Sequence, residues 1–182
     1  MFCQIQNDDL AAFQKQQSRI QQQGMWFLGS WAMANIGGSG YMMTQTEDSR
    51  YYFHQMNVYW NLVNVGIAVT GYFNAPDSDV TKRTTELYRE SNDFSKLLLL
   101  NTGLDVAYIT TGLYLKERAK NYNKRQSRYK GYGNSLMLQG GFLLVFDVTL
   151  FILNESSIND LLNSESIQIT LTPASLYLSY KF

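Results

Sequence analysis

Hydrophobic positions along this chain fall in long blocks rather than in alternation or in one-sided stripes. Residues 20–46 and 51–76 contain no Asp, Glu, Lys or Arg, 97–115 contain only Asp105, and 131–154 contain only Asp147. A helix on the surface of a water-soluble domain needs a charged outer face, and none of these blocks supplies one. A helix that crosses a bilayer needs about 20 mostly apolar residues, and each block is about that long. The two prolines, Pro76 and Pro173, interrupt none of them. The pattern predicts four transmembrane helices, near 24–45, 51–73, 96–117 and 131–154. A soluble bundle is the rival reading, because the blocks are polar for membrane spans.

The stretches between the blocks behave differently. Residues 7–23 read as a helix opened by an Asx cap at Asn7, with Leu10, Phe13 and Ile20 near one face. Residues 77–93, beginning Asp77-Ser78-Asp79, read as a short interfacial helix. At the C-terminus the period changes. Ile167, Ile169 and Leu171 alternate with polar residues, and Leu176, Leu178, Tyr180 and Phe182 do so again after Pro173, which predicts two short extended pieces. The expected fold is therefore all-α, a four-transmembrane-helix bundle with an N-terminal helical extension and a short extended C-terminal tail. Its parts are 1–23, a helical extension; 24–154, the transmembrane bundle; and 155–182, the tail. One such tail segment makes no β-barrel.

Charge sets an orientation. The chain has 15 Lys and Arg against 15 Asp and Glu, so nothing in its net charge points to nucleic acid. The distribution is uneven. With four spans, 41–50 and 116–130 share one side and hold eight of the basic residues, at about three times the density of the other extramembrane stretches. Lys116, Arg118, Lys120, Lys124, Arg125, Arg128 and Lys130 are thus placed in the cytoplasm, with both termini outside. The plain reading of that cluster is a topology signal; the sharper one is a binding surface for anionic lipid headgroups. The localisation expected is a bacterial membrane, the inner one ahead of the outer. The Phe-terminated tail keeps outer-membrane association open.

The spans also carry chemistry. In the second, His54, Asn57, Asn61, Asn64, Ala68 and Gly71 follow one another at steps of three and four, which keeps them on one helix face. Asn101 and Asp105 share a face of the third span, and the fourth offers Gln139 and Asp147. Ser30, Ala34 and Gly38 form a small-residue row suited to close helix packing in the first. A bare carboxylate at mid-membrane costs about 2.5–3.5 kcal/mol, so Asp105 needs donors or a proton. The expected donors are asparagines of the second span and Gln139. This intramembrane network of His54, Asn57, Asn61, Asn64, Asn101, Asp105, Gln139 and Asp147 either specifies which faces meet or forms a ligand, ion or proton site. A single His and a single Cys leave no Cys/His metal site, and no nucleotide-binding, nucleophile-elbow or metalloprotease motif occurs. No metal, cofactor or catalytic residue is expected.

The strings GMWFLGSWAMANIGGSG (24–40), YFHQMNVYWNLVNVGIAVTGYF (52–73), LLLNTGLDVAYITTGLYLKERA (98–119) and GYGNSLMLQGGFLLVFDVTLFIL (131–153) resemble an uncharacterised family of four-helix membrane proteins from Bacteroidetes. The resemblance implies a source and a four-span architecture and carries no activity.

The function expected is that of a non-enzymatic structural or accessory subunit of a bacterial envelope complex. Its partners would be membrane lipid and another envelope membrane protein or a second copy, and no nucleic acid. The alternative is a membrane bundle that handles a small ligand, an ion or a proton through the polar network. A lipid-directed enzyme using Asp105, Asp147 and His54 as acids and bases is the third class.

Overall fold

The computed structural model describes the backbone at 2–76, 84–121, 123–166, 168–172 and 175–179, and side chains at 10–76, 85–121 and 123–161. Four helices make the body: α1 (Phe2–Met43), α2 (Asp48–Phe73), α3 (Thr84–Ala119) and α4 (Gln126–Ser166), the last preceded by a 3-10 turn at Asn123–Arg125. Strands β1 (Gln168–Thr172) and β2 (Ser175–Ser179) pair antiparallel, Gln168 opposite Ser179 and Thr172 opposite Ser175. The two extended pieces expected at the C-terminus thus pair with each other. Phe182 lies outside the described residues, as do Asp77, Ser78 and Asp79.

Helix length organises the molecule into two tiers. The helices have 42, 26, 36 and 41 residues. At about 1.5 Å per residue, α2 is roughly 39 Å long and the other three roughly 54–63 Å. All four pack together in one tier; α1, α3 and α4 continue past the end of α2 into a second, three-helix tier. The boundaries expected at 23/24 and 154/155 are therefore not breaks in the chain: α1 is helical from Phe2, ahead of the Asx cap placed at Asn7, and α4 runs on to Ser166. The interfacial helix expected over 77–93 is, from Thr84, the first part of α3. None of these continuations contains a Gly or Pro to stop a helix, and charge returns along them without a turn signal.

Each tier has its own apolar cluster. Met25, Leu28, Ala68, Leu98, Leu143, Phe146 and Leu150 fill the four-helix tier, and Leu10, Phe13, Leu87, Ile158 and Leu161 fill the three-helix tier. Helix α4 touches all the others, α3 lies along it, and α2 sits between α1 and α4. The α3–α4 seam is closest at Gly112 and Gly133: a Cβ on Gly112 would stand 2.7 Å from the carbonyl oxygen of Gly133, and one on Gly133 would stand 2.6 Å from that of Gly112. Only hydrogen fits there.

Turn chemistry ends the helices. The hydroxyls of Thr44 and Thr46 donate to the carbonyls of Tyr41 and Met42, closing α1. Asp48 opens α2 with φ 54°, a left-handed conformation that Asp tolerates better than most residues. At the other end of α2, Gln21 of α1 donates its amide to the Gly71 carbonyl at 2.9 Å, which gives one member of the glutamine run a structural task.

By mean hydropathy, one helix among the described residues is long and apolar enough to cross a membrane, in the stretch Asn123–Leu161. The other three fall short because amides, hydroxyls, glycines and tyrosines, on inward and outward faces alike, lower the average.

Candidate functional site: a polar seam inside the bundle

Asn57 is the hub of the seam. Its Nδ2 donates to Asn35 Oδ1 and to Ser39 Oγ, both at 2.8 Å on α1, and its Oδ1 accepts a short hydrogen bond from Gln139 Nε2 on α4. Gln139 Oε1 in turn accepts from Trp31 Nε1 at 3.2 Å, and the Trp31 ring stacks on Phe142 with centroids 3.9 Å apart. Nδ1 of His54 lies 3.2 Å from Ser39 Oγ, one turn from the hub. Asn57 and Gln139 are both buried, so both hydrogens of the Asn57 amide and its oxygen are satisfied with no water. Three helices are tied at one level by a single side chain.

The stripe on α2 therefore points inward. Asn57, Asn61 and Asn64 are buried and His54 half-buried, while Leu62, Ile67 and Val69 are exposed. The handover to Asp105 expected of these amides does not occur. Asn61 donates to the backbone carbonyl of Asn57 at 2.8 Å, Asn64 donates to Asn61 Oδ1 at 3.4 Å, and Gln139 is committed to Asn57. The reason is helical geometry: a face spaced at three and four lets each amide reach back along its own helix.

Asp105 instead meets Asp147. Burial leaves the two at 2% and 6% exposure, and their carboxyl groups face each other across α3 and α4 within hydrogen-bonding reach. Two carboxyl groups form such a bond only with a proton between them. Asp105 Oδ2 has no hydrogen-bond partner. Asn101, on the same face, is half-buried. Above this pair, where the three-helix tier begins, Asn154 donates to the Ser91 carbonyl at 2.9 Å and to Ser95 Oγ at 2.7 Å, and Ser95 donates to Glu155 at 2.5 Å.

Ser30, Ala34 and Gly38 are not packed against another helix as expected. All three are exposed, and a Cβ on Gly38 would meet nothing within 4 Å. The face of α1 that packs is the neighbouring one with Leu28, Ala32 and Ser39, because Ser39 and Asn35 must reach Asn57. Ser30 lines a lateral groove of about 530 Å³ between α1 and α2, together with Met25, Trp26, Met33, Val69 and Phe73. Sequence reasoning also missed Trp31, Ser39 and Asn154 as network members. Ser39 stands among three glycines and Trp31 among apolar residues, so neither had a polar stripe to flag it; Asn154 closes an apolar block and read as its boundary. Among the described residues, no three His, Cys, Asp or Glu side chains are grouped to hold a metal ion.

A family model described as a family of unknown function (DUF6992) matches residues 27–148, two thirds of the chain. The chain belongs to the DUF6992 family. A search of curated proteins finds no match, and neither does a search of solved structures. The DUF6992 region contains Trp31, Asn35, Ser39, the α2 stripe, Asp105, Gln139 and Asp147, so the hub and the acid pair fall inside it, while Asn154 and Glu155 lie just beyond. It leaves out the first 26 residues of the chain and the end of α4, which supply most of the three-helix tier's apolar cluster.

Proposed function

We propose that this DUF6992 protein is an integral membrane bundle of four spans, from the envelope of a Bacteroidetes cell, that serves as a structural or accessory subunit without catalysis. One observation carries the membrane reading. Among the described residues, every exposed large apolar side chain except Tyr88 lies in one of the four charge-poor blocks, with Trp26 at 67% and Phe73 at 80% exposure. The same tier buries Asn57, Asn61, Asn64, Asp105, Gln139 and Asp147. In water each bare side chain of this size forfeits roughly 1.5–3 kcal/mol, and a continuous apolar belt is a surface that soluble monomers avoid. In a bilayer the belt faces lipid and the amides face one another, as unpaired polar groups in hydrocarbon must.

The proposed topology joins the tiers to the Lys and Arg distribution. The three-helix tier is water-exposed and lies with both termini on the non-cytoplasmic side of the inner membrane, and 116–130 faces the cytoplasm. The satisfied hub at Asn57 supports the structural reading, since its amide groups are spent on one another and on α1. The unpartnered Asp105 Oδ2 favours a second reading, a proton or cation held between Asp105 and Asp147. Alkaline carbonate extraction of expressing cells tests the membrane reading: the chain is expected in the pellet, and recovery in the supernatant refutes it. Mild-detergent purification with mass spectrometry of what travels along tests the accessory role, which a clean monomer would refute.

A further inference from the structure

We propose that the α3–α4 end of the bundle is a docking surface for the headgroups of anionic phospholipids, with Lys124, Arg125 and Arg128 as its centre. The inference rests on the membrane reading above and adds the class of lipid. The chain is neutral overall, yet its charges are segregated. The connections 41–50 and 116–130 hold eight cations against Glu47, Asp48 and Glu117, whereas the stretches outside the four blocks at the other end hold ten acids against seven cations. A topology signal requires only that cations be present. Three features of their placement go further.

First, the nearest acid is already engaged: Glu117 pairs with Lys120 at 2.6 Å. Lys124, Arg125, Arg128 and Lys130 are exposed, and among the described residues none of them makes an ion pair. Second, Lys124 and Arg125 occupy the 3-10 turn that leads into α4, and the first turn of α4 has no acidic residue. Helix starts favour acids, because the macrodipole and the free N–H groups present positive charge there. Cations gathered at that end repel it and one another, and an anion supplied from outside relieves both. Third, tyrosines fix the height of the arginines. Arg128 lies over the Tyr132 ring at 5.2 Å, whose hydroxyl donates to Gln55, and Arg118 lies over Tyr114 and Tyr129 at 5.8 and 6.0 Å. Tyrosine rings sit at the headgroup level of a bilayer, so these guanidinium groups are held where phosphodiesters are.

The test uses the full chain, purified in a neutral detergent and reconstituted into vesicles of phosphatidylcholine alone or with phosphatidylglycerol. Lipid retention is measured by native mass spectrometry. Phosphatidylglycerol is expected to be retained over phosphatidylcholine, less so at high salt. The triple variant Lys124→Gln, Arg125→Gln, Arg128→Gln is expected to lose roughly a hundredfold in that preference, while the charge-keeping Lys124→Arg, Arg125→Lys keeps it. Equal retention of the two lipids by the wild type overturns the proposal, as does an undiminished preference in the triple variant. Tighter binding of an oligonucleotide than of phosphatidylglycerol also overturns it. A chain that stays in the carbonate pellet yet ignores lipid charge defeats this inference alone; a chain that leaves the pellet defeats the membrane reading with it.

Discussion

Gln139 on α4 donates its side-chain amide to Asn57 on α2, 82 positions away in the chain, and this bond closes the hub that ties α1, α2 and α4 together. Both residues are buried, so neither can turn to water if the other is lost. Gln139→Leu leaves the Asn57 oxygen and the Trp31 indole N–H without partners, and is expected to cost about 1–3 kcal/mol. Asn57→Leu is expected to cost at least as much, because it strands Asn35 Oδ1 and Gln139 Nε2 together. The two together should cost clearly less than their sum, since each already removes the shared bond. Reversible unfolding in detergent of the two singles and the double measures this; strict additivity would mean that the hub is not one unit.

The α3–α4 seam gives a steric prediction. A Cβ on Gly112 would press into the backbone carbonyl of Gly133 at 2.7 Å, and backbone cannot step aside as a side chain can. Gly112→Ala is expected to destabilise by roughly 1–3 kcal/mol through forced separation of the helices. Gly37→Ala, where an added Cβ meets nothing within 4 Å, is expected to be neutral or to stabilise by up to about 1 kcal/mol through helix propensity. Detergent melting curves of the two variants should move apart, and equal shifts would place the close approach elsewhere.

Topology is checked with single cysteines in a Cys3→Ser background. Lys124→Cys and Asp160→Cys are both at exposed positions, at opposite ends of α4. A membrane-impermeant maleimide added to intact cells stripped of their outer membrane is expected to label position 160 and spare position 124. Labelling of both from the same side would defeat the four-span arrangement.

Much of this architecture could be read from the sequence because charge is segregated so strongly along the chain. The four charge-poor blocks gave the four helices, and the 3–4 spacing of Asn57, Asn61 and Asn64 gave the buried face of α2. The helix ends were not legible, since Gln21, Ser91 and Asn154 lie in stretches whose polar residues suggest surface, yet they are partnered between helices. Nor was the facing row on α1. Ser30, Ala34 and Gly38 have the better small-residue spacing, but the side chains that must meet Asn57 are Asn35 and Ser39, and their hydrogen bonds rotate α1 away from that row. The partner of Asp105 was misjudged for a related reason. Composition offers many amides and one other buried acid, while geometry had already spent the amides on each other.

Asp105 remains the residue whose replacement separates the structural reading from the chemical one. Its carboxyl lies against Asp147 and one of its buried oxygens accepts no hydrogen bond from an N–H or hydroxyl among the described residues; two carboxyl groups bond to each other only with a proton between them. Asp105→Asn supplies a permanent N–H donor to Asp147 and removes one acid. Asp105→Leu removes the partner entirely and leaves Asp147 buried without it. If the pair serves only to join α3 to α4, Asp105→Asn should unfold within about 0.5 kcal/mol of the wild type and Asp105→Leu should lose about 1–3 kcal/mol. If the pair carries protons or cations as its task, Asp105→Asn folds as well as the wild type but fails to complement a deletion strain. Wild-type melting and growth in both variants would defeat both readings, and would mean that Asp105 and Asp147 do not bear on each other.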